Sequence, residues 1–364
     1  MHTSDILQPG AGPIRSSVYL PADSDSIYWG RLPCGADAAC ITVDPGTEVT
    51  IDTLSHEGVL EDQGRDPESF FARFGVARDA VLNDAVRLAA STHPRDPQID
   101  GPHVVTGPIG VRGARPGDLL KITVVELLPR VPYGVISNRH GRGALPGEYP
   151  RGEGNVSIFA AVEDNADETA PLFGTMPRVA GGEHTVRFPL APFLGIMGVA
   201  VAGDTRPHSV PPGTHGGNID INLLTEGSVL YLPVQVDDAL AYIGDPHFAQ
   251  GDGEVSLTAM EASLRATLRF DVVPQAEAIE AFGVLVGPLA ETTDFLIPTG
   301  MNADLDLAVQ DCVRAAIALL QARFGMDAEH AYAYLSAATD FNISQVVDLV
   351  KGVHARIRVE DFNA

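Results

Sequence analysis

Lysine is almost missing from this chain of 364 residues: Lys121 and Lys351 are the only two, and every other basic residue is arginine. Mechanisms that need several lysines are thereby removed. Cysteine is nearly as scarce. Cys34, Cys40 and Cys312 contain no CxxC pair and cannot complete a disulfide framework, so a reducing cytoplasm is the expected home. No apolar run is long enough to cross a bilayer comfortably. The most apolar stretch, residues 188–203, is interrupted by Pro189, Pro192, Gly195 and Gly198 and reads as buried strand and turn. Residues 1–15 show no basic region followed by an apolar core, so no signal peptide is expected. Positive charge is in deficit overall, with a formal net charge of −24. Such a surface repels phosphate backbones and anionic lipid, which argues against nucleic-acid and membrane partners. A neutral small molecule is not repelled.

What is present is a 45% hydrophobic composition, enough for a packed core, with 37 glycines and 27 prolines spread along the chain. They punctuate short β-branched runs, the pattern of a β-rich fold with many turns. Strands are predicted over 39–43, 49–54, 104–111, 119–128, 156–162, 185–188, 196–202, 228–234, 240–244 and 254–273. Asp66-Pro67 starts a helix over about 67–90, with Gly75 dividing it. Arg115-Pro116-Gly117-Asp118 is a tight turn between two strands. Residues 132–155, with His140 and Glu148, read as a long loop of the kind that forms lids. After residue 300 the period becomes helical: a helix over 304–324 capped by Asp304, a second over 327–338, a short third over 344–350, then a strand over 353–359. The expected architecture is mainly β with appended α/β parts. A β-sandwich-like catalytic core spans 1–300, and a helical segment, 301–364, returns a final strand to it. No internal repeat or low-complexity tract is visible.

Two glycine-rich segments concentrate polar side chains: residues 211–220, holding His215, Asn218 and Asp220, and residues 244–254, holding His247, Asp252 and Glu254. Imidazole and carboxylate on a sharply bending backbone are the ligand types of a metal site. No pair has helical i, i+4 spacing, so the ligands would converge from separate loops. Each residue also has a plainer reading. His215 and Asp220 are either ligands or a turn's hydrogen-bonding pair. Asp252-Gly253 is also a common hairpin dipeptide. Glu254 sits either at the core edge, where desolvation suits a general base, or at a solvated strand end. Asn218 either donates to an oxyanion or occupies a left-handed turn. Asp52 and His56, four apart, share a face if strand geometry continues. Glu261, seven beyond Glu254 on one predicted strand, would face away from it. His103 and His354 read as core or surface residues, and Cys312 as a small buried apolar group.

The segment from Pro211 to Glu261 resembles the acetamidase/formamidase family. The family's Gly-Gly-Asn-Met-Asp motif stands at 216–220 with Ile219 in place of Met, and its Gly-Asp-x-His-x-x-Gln-Gly-Asp-Gly-Glu motif stands unbroken at 244–254. Thr106-Gly107-Pro108 through Gly117-Asp118 and Ser344-Gln345-Val346-Val347-Asp348 add two further matches, so the likeness spans about residues 40–358. One departure lies at 51–58, where Asp52 stands in place of the family's acidic residue in a "FET-x-D" context and His56 and Glu57 are added. The resemblance implies a β-sandwich core, hydrolysis of small amides to carboxylate and ammonia, a divalent metal (zinc, with calcium the alternative) and a homo-oligomer, dimer or higher. It points to His215, Asp220, His247, Asp252 and Asp52 as ligands, Glu254 as general base and Asn218 as oxyanion donor. Two other readings stay open: hydrolysis of a cyclic amide such as a γ-lactam, and a non-catalytic small-molecule binder on the same fold. Serine- and cysteine-based amidases are disfavoured, since Ser16-Ser17 has no glycine- and serine-rich loop and the two lysines are poorly placed.

Overall fold

A computed structural model describes residues 6–163 and 171–362. Its strands form where apolar and β-branched runs are bracketed by turn residues. Among the described residues they assemble into two large sheets, nine-stranded and eleven-stranded. The first centres on Leu119–Pro129 and Leu264–Val273, paired antiparallel from Leu264 opposite Pro129 to Val273 opposite Leu119. Thr47–Asp52 flanks this pair on one side and Val229–Pro233 on the other, and the sheet then runs through Leu289–Glu291, Phe295–Asn302 and Lys351–Arg358 to Asp340–Gln345. The second sheet centres on Ala241–Ala249, which pairs with Phe193–Val199, Val104–Val111 and Met260–Glu261. One hydrophobic core takes Ile122, Leu230 and Leu268 from the first sheet and Ile109, Met197 and Ile243 from the second. The predicted sandwich-like, mainly β architecture is therefore present: each sheet buries one apolar face against the other.

Helices cover the outer face of the first sheet. Adjacent residues Leu296 and Ile297 point to opposite sides, Ile297 into the shared core and Leu296 into a second cluster with Leu319, Leu320 and Leu335. The long helix Leu305–Phe324 is capped by Asp304, whose side chain accepts from the Leu307 amide at 3.1 Å, and is closed by Gly325 at φ 66°. Its buried stripe is Ala308, Cys312, Ala316, Leu319 and Leu320. Small residues lead that stripe because the helix lies almost on the backbone of Gly300. The first predicted helix is divided as expected into Pro67–Ala72 and Asn83–Ala90, with Gly75 at φ 83° between them.

Several expectations need correction. Residues 132–155 are not one loop, because Tyr133–Arg139 pairs with Asn155–Val162; its alternating burial was masked by the polar Ser137, Asn138 and Arg139. Residues 344–350 are no helix. The strand Asp340–Gln345 runs into a turn with positive φ at Asp348 and Leu349. Residues 254–273 are not one strand, since Met260–Glu261 belongs to the second sheet and Leu264–Val273 to the first. The helix Gln275–Phe282 and the strands Leu289–Glu291 and Phe295–Asn302 were not predicted. No helix of the described residues is long and apolar enough to cross a membrane.

Candidate active site

The strand Ala241–Ala249 breaks its own pleat. Ile243 and Phe248 both lie in the shared core although an odd number of residues apart, which regular alternation forbids. The break falls at Asp245, held at φ 50°. Beyond it Asp245 and His247 share a face away from the core, and His247 Nε2 lies 3.1 Å from Asp245 Oδ2. The neighbouring strand places Glu261 opposite His247, with Glu261 Oε1 3.1 Å from the same Nε2. On the other side, Gly195 receives the backbone amides of Ile219 and Asp220 on its carbonyl and so draws the 216–220 segment over the site. Glu254 arrives from the bend after Ala249, and Asp348 from the turn after Gln345.

Three overlapping groups result, each with one donor atom per residue within 4.8 Å of the others: Asp220, His247 and Glu254; Asp245, His247 and Glu261; and His56, His103 and Asp245. All seven residues are buried, and His247 is fully so. Asp220, Asp245, Glu254 and Asp348 all sit at positive φ, between 46° and 58°. Left-handed backbone at non-glycine residues costs free energy, and four such residues converge here. Gln250 and Gln345 fix the loops: Gln250 donates to the carbonyls of Asp220 and Ser344, and Gln345 to that of Asn218.

The electrostatics follow from dry packing of like charges. Burial, with Asp245 and then Asp348 nearby, holds the Asp220 carboxyl well above its usual range. Burial together with Asp220 and Asp348 does the same to Glu254. Burial, Asp245 and Glu261 push Asp348 up to about 8. Burial also opposes charge on Asp245, but His247 and His103 outweigh it and keep Asp245 ionised well below the usual range. Burial likewise opposes a proton on His247, yet Glu261 and Asp245 hold it on. At His56, burial is overcome by Glu261, Asp245 and Glu57, raising it to about 9, whereas burial dominates at His103 and lowers it to about 4. Glu57, gripped by Arg139 and Gln63, stays ionised.

Of the residues singled out from sequence, Asp220, His247 and Glu254 come together. Asn218 lies beside them and donates one amide N–H to Asp348 Oδ2 at 2.9 Å. Three others lie elsewhere. Asp52 is sealed in a bidentate pair with the buried Arg265, at 2.7 and 3.0 Å, and also accepts from Tyr19. Asp252 is at the surface, where Asn222 and Asn342 donate to it. His215 is buried beside Leu32 and Gly217, its pKa lowered to about 4 by burial, and is in none of the three groups. His140 is exposed and pairs with Asp62 at 3.2 Å, and Glu148 is exposed. Asp245, Glu261, His103 and Asp348 were missed. The signal for Asp245 was in the sequence: it stands two residues before His247, on the same side of a strand.

The donor set suits a cation. His56 Nδ1, both Asp220 oxygens, Asp245 Oδ1, His247 Nδ1, Glu254 Oε2 and Glu261 Oε2 are buried without a hydrogen-bond partner. Buried carboxylate oxygens left so are costly unless a positive ion balances them. Mixed imidazole and carboxylate donors fit a divalent ion of the zinc type.

The sequence pattern that describes the acetamidase/formamidase family matches residues 87–208 and 201–359. A formamidase of Methylophilus methylotrophus is 28% identical over 315 residues, covering 70% of this chain and 75% of that protein. An acetamidase of Mycolicibacterium smegmatis is 29% identical over 242 residues, 54% of this chain and 59% of the relative. The crystal structure of an acetamidase from Bacillus halodurans superposes with a TM-score of 0.71 at 24% identity, covering 95% of this chain and 99% of the other, a likeness of fold.

Proposed function

The chain belongs to the acetamidase/formamidase family and is an amidohydrolase, and from that premise we propose that it hydrolyses small linear amides to carboxylate and ammonia at the Asp220–His247–Glu254 cluster. The observation that carries the proposal is the set of buried, unpartnered imidazole and carboxylate atoms on Asp220, Asp245, His247, Glu254 and Glu261. Asp220, Asp245, His247 and Glu261 are the residues that would hold a divalent ion, with His56 and His103 reaching Asp245 from the far side. Such an ion, when bound, polarises the amide carbonyl and lowers the pKa of water.

The chain's own groups supply the rest. Glu254 takes the proton of the attacking water as the C–O bond forms and delivers it to the nitrogen as the C–N bond breaks. Burial beside Asp220 and Asp348 tightens its hold on a proton, which favours the accepting step. Asn218 has one amide N–H committed to Asp348 and a second available to the developing oxyanion. The near-complete burial of the cluster excludes bulk water, so each of these charges acts at low effective dielectric.

Metal analysis of the purified protein, combined with ammonia release from formamide and acetamide, tests the proposal. Chelation is expected to abolish release, a restored divalent ion to recover it, and Glu254→Gln to lower kcat by about 10²–10⁴-fold. Full activity in exhaustively chelated protein would remove the ion from the mechanism.

A further inference from the structure

Asp245 and Glu261 each face two ways. Asp245 turns Oδ2 to His247 Nε2 at 3.1 Å, and Oδ1 to His56 Nδ1 at 3.7 Å and His103 Nε2 at 3.8 Å. Glu261 places Oε1 3.1 Å from His247 Nε2 and Oε2 3.9 Å from His56 Nδ1. Both carboxylates therefore reach from His247 to a second set of imidazoles. The contacts on the His247 side have hydrogen-bond length, and those on the His56 side are too long for that. The longer ones fit donors that share an ion. At metal–donor distances of about 2.0–2.2 Å, two donors on one ion lie at most about 4.4 Å apart.

The atoms on this far side have no other partner. His56 Nδ1, Asp245 Oδ1 and Glu261 Oε2 are buried and make no hydrogen bond. The outer nitrogens of the two rings, by contrast, are occupied. His56 Nε2 lies 3.4 Å from Glu57 Oε1, and Glu57 is fixed by Arg139 and Gln63. His103 Nδ1 meets Ser209 Oγ at 3.1 Å. Outer contacts of this kind orient the rings of metal-ligating histidines. The ring planes stand at 77° with centroids 5.5 Å apart, so the imidazoles converge on Asp245 without stacking. His56 also belongs to the segment in which this chain departs from the family pattern, so the likeness does not account for this half of the cluster.

Charge points the same way. Asp220, Asp245, Glu254 and Glu261 are buried carboxyls, with Asp348 partly exposed at their edge. Buried charges are costly unless they are balanced. One divalent ion balances two of these four carboxylates, and a second balances the other two.

We infer that His56, His103, Asp245 and Glu261 hold a second divalent ion of the zinc type, joined through the two carboxylates to the ion on the His247 side. The inference rests on the reading that Asp220, Asp245, His247 and Glu261 hold the first ion. Two imidazoles with two carboxylate oxygens are a donor set for such an ion. Paired ions in hydrolytic centres stand about 3.5–4 Å apart.

The test loads the chain with zinc, dialyses away loosely held metal, measures zinc per chain by mass spectrometry and maps anomalous scattering at the zinc edge. Wild type is expected to hold about two zinc ions per chain, with two peaks about 3.5–4 Å apart on either side of Asp245. His56→Gln keeps a nitrogen near Glu57 and removes Nδ1, and His103→Asn keeps a polar atom near Ser209 and removes Nε2. Each variant is expected to fall to about one zinc per chain and to retain the peak beside His247. One zinc beside His247 in wild type, a second peak elsewhere, or an undiminished zinc content in a folded variant would overturn the second ion and leave the first in place. A wild type that binds no zinc would overturn the first ion as well. The wild-type map decides the matter even if neither variant folds.

Discussion

Gly195 is the residue on which the cluster rests. A Cβ there would stand 2.6 Å from Asp220 Oδ1, 2.7 Å from Asp245 Oδ2 and 2.7 Å from His247 Cε1. Three site residues would have to move at once, and a displacement of about 1 Å can cost 10²-fold in rate. Gly195→Ala is therefore expected to lower bound metal per chain and to reduce kcat/KM at least about 100-fold. Metal analysis beside the ammonia assay checks both; a variant that keeps its metal and its rate would show that the site tolerates a methyl floor. At this scale the sequence was informative about residue types and less so about directions. Asp220, His247 and Glu254 were singled out because imidazole and carboxylate on glycine-rich bends are metal-ligand types, and the fold brings these three together. Asp52, Asp252 and His215 had the right chemistry, but an arginine partner, an exposed bend and an apolar wall claimed them. His56 and Asp348 are nearly three hundred positions apart in sequence, and only the tertiary fold brings their elements together.

Elements were legible where one periodicity governed a long run. The helix Leu305–Phe324 shows its cap, its period and its terminal glycine in the sequence; its buried stripe departs from plain hydropathy, because Leu307 is apolar yet exposed while small Ala308 and Cys312 face the sheet. Elements near the site were misread for a physical reason. Asp245, Glu254 and Asp348 adopt left-handed backbone that interrupts pleating where side-chain chemistry alone suggests continuity. That break let the predicted strand over 254–273 conceal a bend, and with it Glu261. The distinction between scaffold and site elements is testable at Asp304, which caps a helix whose residues belong to none of the three site groups. Asp304→Ala is expected to cost about 0.5–2 kcal/mol of stability in urea unfolding. Its kcat on acetamide should stay unchanged, and a fall in kcat would mean that the outer helix couples to the chemistry.

At the scale of the molecule, the cluster makes stability a function of pH and, if it holds the proposed ion, of that ion as well. In the ion-free chain His56 is raised from 6.5 to about 9 and Asp348 from 3.8 to about 8. Both groups hold their protons more tightly folded than unfolded, so their contribution is present at low pH and lost as pH climbs through those values. His103 and His215 run the other way, lowered from 6.5 to about 4, and Glu57 is lowered from 4.5 to about 2; their effects are complete by about pH 7.5, one unit above the unfolded histidine value. Between about pH 7.5 and 9 the ion-free chain is therefore expected to lose stability steadily. A divalent ion held, as proposed, by Asp220, Asp245, His247 and Glu261 would compete with the protons of this cluster, and its affinity would rise with pH because its ligands must be deprotonated. The difference in urea midpoint between ion-loaded and chelated protein should then widen from about pH 7.5 to 9. The series belongs at constant ionic strength, since a net charge of −24 adds a surface repulsion that salt screens. A difference that stayed flat or narrowed across this range would mean that the cluster's protons and the ion do not compete, and that the ion binds elsewhere.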